Sequence, residues 1–227
     1  MTTNVTQIHD PLSISDLHIS LPVADRTEAA TMYDLLLGQA AGQHWLATNG
    51  SISLLDAAAP LTIDLGVADL AASQTLLQKR GMTLGANGTL VDVPPLRIAE
   101  LAGVAVGTRM IDHIVLTVGN ADSAIALFGG RLGINLRLVK DLGKGVAQLF
   151  FRTRSAVIEV VAGTTEPSDG IGLMGLAWRS DDIEAEQQRL VAAGLAVSDV
   201  RTGRKPGTKV CTVREPGLGT ATLLIEQ

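Results

Sequence analysis

The chain has 227 residues, of which 46% are hydrophobic and only 3% aromatic, so Leu, Val, Ile and Ala must fill one large core or two smaller ones. A net charge of −5 and a pI of 5.3 exclude a nucleic-acid partner, which needs a broad basic face. The polar start MTTNVTQIHD lacks the basic and apolar regions of a signal peptide, and no run of about eighteen apolar residues offers a membrane span.

After a polar tail (1–13), residues 16–23 alternate as a half-buried strand, and 25–37 carry helical spacing at Ala29, Met32, Leu35 and Leu36. Short strands are predicted at 43–48 and 51–57, then at 61–67. A helix at 69–80 follows, then strands at 88–93 and 96–102. Residues 103–109 read as a join. The order then restarts with a strand at 111–118, a helix at 121–132, and strands at 135–140, 145–153 and 155–162. The segment 163–172 is a polar loop rich in Gly and Pro residues. A strand at 173–179, a helix at 182–193 and strands at 196–201, 208–214 and 220–226 complete the chain. Cys211 stands alone in the apolar run VCTV, so it is expected to be a buried, inert thiol, and a cytoplasmic, reducing setting is expected with it.

Two spacings recur. His18 leads to Gly38 as His113 leads to Gly133, and Asp69 leads to Gly81 as Asp182 leads to Gly194. One strand–helix–strands unit is therefore used four times, with the N-terminal half trimmed. The domains expected are 14–103 and 108–227.

This pattern resembles the vicinal oxygen chelate superfamily of glyoxalase I, extradiol dioxygenases, methylmalonyl-CoA epimerase and bleomycin-resistance proteins. The resemblance is strongest over 110–227. There DHIVLTV, a helix ending RLG, AVIEVV, GLAWRSDDIEAEQQRLVAAG and TVREPG follow the family in order. It is weaker over 16–102. It implies an α+β fold of two tandem domains, each a pair of βαβββ units whose curved mixed sheets form a cup. It also implies metal ligands on the first and last strands of each unit. Carried over by position, the C-terminal half keeps His113 and Glu159, but has Gly175 and Thr222 at the other two places. The N-terminal half has His18, Ser53, Thr62 and Glu100 there, or Ala99 if the count slips by one.

Two ligands bind a hard divalent ion weakly, so no cofactor is expected. The one set that would rescue a metal is His113, Glu159 and Glu100, if the 110–162 unit paired with the 61–102 unit. The period of two along strands places His113, Val115, Thr117, Gln148, Phe150, Arg152, Glu159, Ala177 and Thr222 on the cup face. Glu159 lies between Ile158 and Val160, and a carboxylate there is costly unless paired. It is the candidate base, and His113 the candidate acid or ligand.

These residues point to a protein that binds a small organic metabolite, as a lyase or isomerase acting next to a carbonyl. Extradiol oxygen chemistry is disfavoured, because the second His it needs is Gly175. The alternative is metal-free sequestration of the bleomycin-resistance kind, without turnover. A pair of purely structural domains is a third reading, and a homodimer stays open. The basic cluster Arg201, Arg204, Lys205 and Lys209 is either a solvated hairpin or an arm that meets an anionic substrate.

Overall fold

A computed structural model describes residues 10–100, 107–163 and 170–227. The first nine residues, most of the predicted join and the middle of the 163–172 loop lie outside the described residues.

The elements run β1 (Asp16–Val23), α1 (Arg26–Leu37), β2 (His44–Ala47), β3 (Gly50–Asp56), β4 (Thr62–Val67), α2 (Leu70–Lys79) and β5 (Leu96–Glu100) in the first half. The second half runs β6 (Ile111–Val118), α3 (Ala121–Ala124), β7 (Asn135–Gly143), β8 (Val146–Arg152), β9 (Val157–Ala162), β10 (Gly172–Arg179), α4 (Ile183–Ala192), β11 (Arg201–Thr202), β12 (Lys209–Val213) and β13 (Ala221–Glu226). Helix α3 continues as a π-helical segment over Ile125–Arg131.

The recurring spacings mark real helix boundaries. Asp25, Asp69, Asn120 and Asp182 each accept a hydrogen bond from a backbone N–H of the first turn of their helix. The glycine after each of the four helices has positive φ: Gly38 +91°, Gly81 +76°, Gly133 +72° and Gly194 +93°. That conformation ends a helix at little cost only for Gly.

Two curved mixed sheets result. One has the order β2-β3-β1-β4-β5, the other β11-β12-β13-β10-β6-β9-β8-β7. The pairings of the smaller sheet repeat the five central strands of the larger one. In both, the first strand runs parallel to the last strand of its own unit and antiparallel to the first strand of the next unit. The βαβββ description holds in full for the C-terminal half. The N-terminal units are curtailed: the first keeps two of its three later strands and the second keeps one. The predicted strand at 88–93 is instead a 3-10 turn at Ala86–Gly88 with isolated bridges Leu84–Leu90 and Thr89–Arg97. The predicted strand at 196–201 shrinks to Arg201–Thr202 and a Val197–Val213 bridge. No helix among the described residues is long and apolar enough to cross a membrane.

Along each central strand alternate residues are buried under the helices. Ile114, Leu116, Ile158, Val160, Leu149, Phe151, Leu176 and Trp178 form that layer in the larger sheet. The buried cluster runs on without a break into Leu17, Ile19, Ile52, Ile63 and Leu65 of the smaller one. Polar ties join the halves. The Asn49 side chain donates to the Ile111 carbonyl at 2.9 Å and accepts from the Ile111 N–H at 2.9 Å, so it completes the backbone pairing where β6 begins. The Tyr33 hydroxyl donates to the Leu218 carbonyl at 3.1 Å. Arg109 pairs with Glu186.

Cys211 is fully buried in β12, and burial pushes its thiol up to about 11, as expected of an inert residue.

Asn49→Ala should destabilise the protein by about 1–3 kcal/mol for each Ile111 group left unpaired. Urea denaturation measures this, and a loss below the lower bound would mean that Asn49 is not a tie between the halves.

Candidate active site

The cup is the concave face of the larger sheet, and strand register places its residues in rungs. The first rung runs Arg152, Val157, His113, Ala177 and Leu223. The second runs Leu138, Phe150, Glu159, Val115, Gly175 and Ala221. The third runs Lys140, Gln148, Val161, Thr117 and Gly172. His113 and Glu159 are therefore diagonal neighbours at the centre.

Around them runs a row of hydrogen bonds. Arg179 donates to Asp112 Oδ1 at 2.8 Å, and the Gln227 amide donates to the same oxygen at 2.6 Å. His113 Nδ1 lies 2.9 Å from Asp112 Oδ2. A carboxylate only accepts, so Nδ1 carries the proton and Nε2 is left facing the cup. His113 Nε2 stands 3.9 Å from Glu159 Oε2, and the Gln148 amide donates to Glu159 Oε1. Burial opposes the charge on Asp112, but hydrogen bonds from His113 and Arg179 outweigh it and hold the carboxyl below the usual carboxylate range.

The space above this row has two lobes, of about 280 and 360 Å3. His113, Gln148, Glu159 and Arg204 border both. The first lobe adds Lys140, Phe150, Arg152 and Lys205, and the second adds Val115, Met174 and Gly175. His113 and Glu159 retain 16% and 13% side-chain exposure, enough for a ligand atom to reach either.

Of the nine residues placed on this face from sequence, six line the lobes with cup-facing side chains: His113, Val115, Gln148, Phe150, Arg152 and Glu159. Thr117 is on the face but borders neither lobe. Ala177 is also on it, yet packs under Val210, Ile225 and Leu223 and is fully buried. Thr222 borders the second lobe, but not with a cup-facing side chain. It pairs with Leu176, so its side chain belongs to the helix side, and its hydroxyl donates to the Thr220 carbonyl. Leu223 takes the cup-facing place, opposite Ala177.

The same correction applies to Glu100. It pairs with Val67 on the helix side of β5, whereas Arg97 occupies the cup-facing place and forms a bidentate pair with Asp64 at 2.5 and 2.6 Å. The set His113, Glu159 and Glu100 is not assembled. The unit beginning at β6 joins the unit beginning at β10, not the one beginning at β4. The only trio of closely spaced metal-binding side chains among the described residues is Asp182, Glu184 and Glu226, which includes neither His113 nor Glu159. The cup therefore offers a metal His113 and Glu159, with Gly175 and Leu223 supplying no donor. Two donors do not fit a divalent ion held by protein, and no step here is derived through one.

His18 binds Ser51 Oγ through Nδ1 at 2.8 Å, while its Nε2 is buried without a partner. Burial lowers its pKa. Ser53 is spent on Ser20. Sequence reasoning missed Asp112 as the partner of His113, although the two are adjacent in DHIVLTV. It also missed Gln227 and Lys140. Of the basic cluster that the sequence reads as either a solvated hairpin or an arm, Arg204 and Lys205 border the cup.

The fold is that of a tandem vicinal oxygen chelate protein. Residues 112–212 match the Glyoxalase/Bleomycin resistance protein/Dioxygenase superfamily, so the C-terminal half is a domain of that superfamily. Among solved structures, a mutant of 4-hydroxymandelate synthase from Streptomyces coelicolor is similar at TM-score 0.70 and 15% identity, over 95% of this chain and 92% of that one. A xylose isomerase-like TIM barrel/4-hydroxyphenylpyruvate dioxygenase fusion protein is similar at TM-score 0.64 and 16% identity, over 100% of this chain and 51% of that one. Methylmalonyl-CoA epimerase from Mycobacterium tuberculosis is similar at TM-score 0.43 and 21% identity, over 54% of this chain and 92% of that one. No curated protein matches the sequence.

Elemental analysis of the purified protein should find well under one transition metal per chain, because two of the four ligand positions carry no donor. A stoichiometric metal would overturn this.

Asp112→Asn should cost about 1–3 kcal/mol at neutral pH, since it removes a charged acceptor from Arg179 and His113. The folded pKa is depressed, so the stabilisation is present above the ordinary value of 3.8 and fades as pH falls through the folded value. Melting curves of both proteins from pH 7 downward should therefore converge only below about 3.8.

Proposed function

We propose that the C-terminal cup binds a small organic metabolite and that Glu159 acts there as a base on a carbon next to a carbonyl. The row Arg179–Asp112–His113 beside Glu159–Gln148 supports this reading most. It fixes a carboxylate oxygen and an imidazole nitrogen, 3.9 Å apart, on the floor of a concavity. One ligand atom between them can touch both.

In this reading Glu159 takes the proton through Oε2, the oxygen not occupied by Gln148. The electron pair left on carbon moves to the carbonyl oxygen, which needs a hydrogen-bond donor. His113 supplies one when Nε2 carries a proton as well as Nδ1. Proton return from Glu159 completes an isomerisation, and loss of a leaving group completes a lyase reaction. The bulk of this chemistry is carried by 108–227, and 14–103 is proposed to serve as a companion domain. A cytoplasmic setting fits the lone buried thiol.

A specific observation favours the rival reading of binding without turnover. Gly175 and Leu223 remove two family ligand positions, so no metal completed by the protein would polarise the carbonyl.

Proton NMR in D2O separates the two. With α-oxoaldehyde and acyl-CoA candidates, the protein should catalyse deuterium exchange at the carbon beside the carbonyl. Glu159→Gln should slow it by about 10²–10⁴-fold. Ligand binding without exchange would establish sequestration, and full exchange by Glu159→Gln would remove it as base. Glu159→Leu should lower stability by about 1–3 kcal/mol in a urea melt, because the buried Gln148 amide loses its acceptor. This reverses the gain expected for an unpaired carboxylate.

A further inference from the structure

Lys140, Arg152, Arg204 and Lys205 all border the first lobe of the cup. No ion pair among the described residues uses any of the four, although Arg26, Arg97, Arg109, Arg131, Arg179, Arg189 and Lys209 all have carboxylate partners. The convergence of Lys140, Arg152, Arg204 and Lys205 on one small cavity is mutually repulsive and is relieved by an anion between them.

The arrangement is built into the fold. Arg152 sits on the His113 rung and Lys140 on the Gln148 rung, so they flank Phe150 from either side, with the Lys140 ammonium 5.6 Å from the ring centre. Arg204 and Lys205 come from the turn between β11 and β12. Gly203 N–H bonds the Thr208 carbonyl at 2.8 Å, and the Thr208 hydroxyl bonds the Lys205 carbonyl at 2.6 Å. A Cβ on Gly203 would lie 2.2 Å from the Thr208 hydroxyl, so the turn closes this tightly only with glycine. Lys205 Nζ donates to Gln227 Oε1 at 2.8 Å, and Gln227 in turn donates to Asp112. The rim is thereby tied to the row that holds His113.

We infer that the ligand of the cup is an organic anion, whose carboxylate or phosphate docks among Lys140, Arg152, Arg204 and Lys205 while its carbonyl end reaches Glu159 and His113. This rests on the reading of the cup as a small-molecule site. It explains how a lobe that carries the Glu159 and Asp112 carboxylates can still attract an anion: Asp112 is paired with Arg179 and further held by Gln227 and His113, and the four cations outnumber Glu159. The Phe150 ring between Lys140 and Arg152 gives the anion an apolar neighbour, so an aryl or alkyl body is favoured over a bare inorganic ion.

Calorimetric titration of the full chain with phenylpyruvate, phenyl phosphate and the uncharged phenylacetone tests this. At least one of the two anions should bind at least tenfold more tightly than the ketone, and its affinity should fall as salt rises. The stronger of the two identifies a carboxylate or a phosphate as the docking group. The double variant Arg204→Gln with Lys205→Gln, and separately Arg152→Gln, should weaken the anion at least tenfold and leave the ketone and the melting temperature unchanged. If the ketone binds as tightly as both anions, or if the variants leave anion affinity intact, the inference fails while the cup remains a small-molecule site. If none of the three binds at millimolar concentration, the small-molecule reading falls and the inference with it.

Discussion

The antiparallel pairing of β6 with β10 is the constraint on which the cup depends. Each βαβββ unit can bury the helix-facing side of its strands but leaves its own edge open at its first strand. Joining two units at that edge satisfies both rows of backbone groups and makes one continuous concave surface. The seam also sets the chemistry. A register shift between Ala177 and Trp178 brings Arg179 against Asp112, and Asp112 in turn orients the ring of the next residue, His113. Asn49 grips the backbone of Ile111 just before them, so the smaller sheet helps to hold the strand that carries the site.

The two halves show what the same five-strand core can be used for. In the smaller sheet several concave polar groups bind one another: Asp64 with Arg97, Ser20 with Ser53, His18 Nδ1 with Ser51. In the larger sheet Asp112 and Glu159 are held by neighbours, but Lys140, Arg152, Arg204 and Lys205 have no carboxylate partner among the described residues. Unneutralised charge facing a cavity is unfavourable for the empty protein, and it becomes favourable when a complementary ligand arrives. The loss of the outer strands in the N-terminal half goes with this difference, since without counterparts of β7, β11 and β12 the smaller sheet has no walls to enclose a ligand.

Glu159 illustrates how a residue type expected from its strand acquires meaning from its partners. A carboxylate in an apolar strand is expensive when alone. Here Gln148 from the adjacent strand occupies one oxygen and leaves the other facing His113. The partner pins the side chain in one orientation, which is the requirement for a base that must meet a particular carbon atom.

The sequence by itself determined the four units, their helix ends and the faces of β6, β8 and β9. Those depend on local physics: a capping side chain, a glycine at positive φ, and the period of two along an extended backbone. His113, Glu159, Gln148, Phe150 and Arg152 were legible for that reason, as residues sharing one side of their strands. Only the tertiary structure decided what stands opposite what. Pairing across strands depends on turn length and bulges, and a single residue more or less moves a side chain to the other face. That is why the cup-facing residue of β13 is Leu223 rather than Thr222, and that of β5 is Arg97 rather than Glu100. It is also why Asp112, Arg179 and Gln227 meet at one carboxylate, and why Arg204 and Lys205, far from Lys140 and Arg152 in the chain, share one lobe with them.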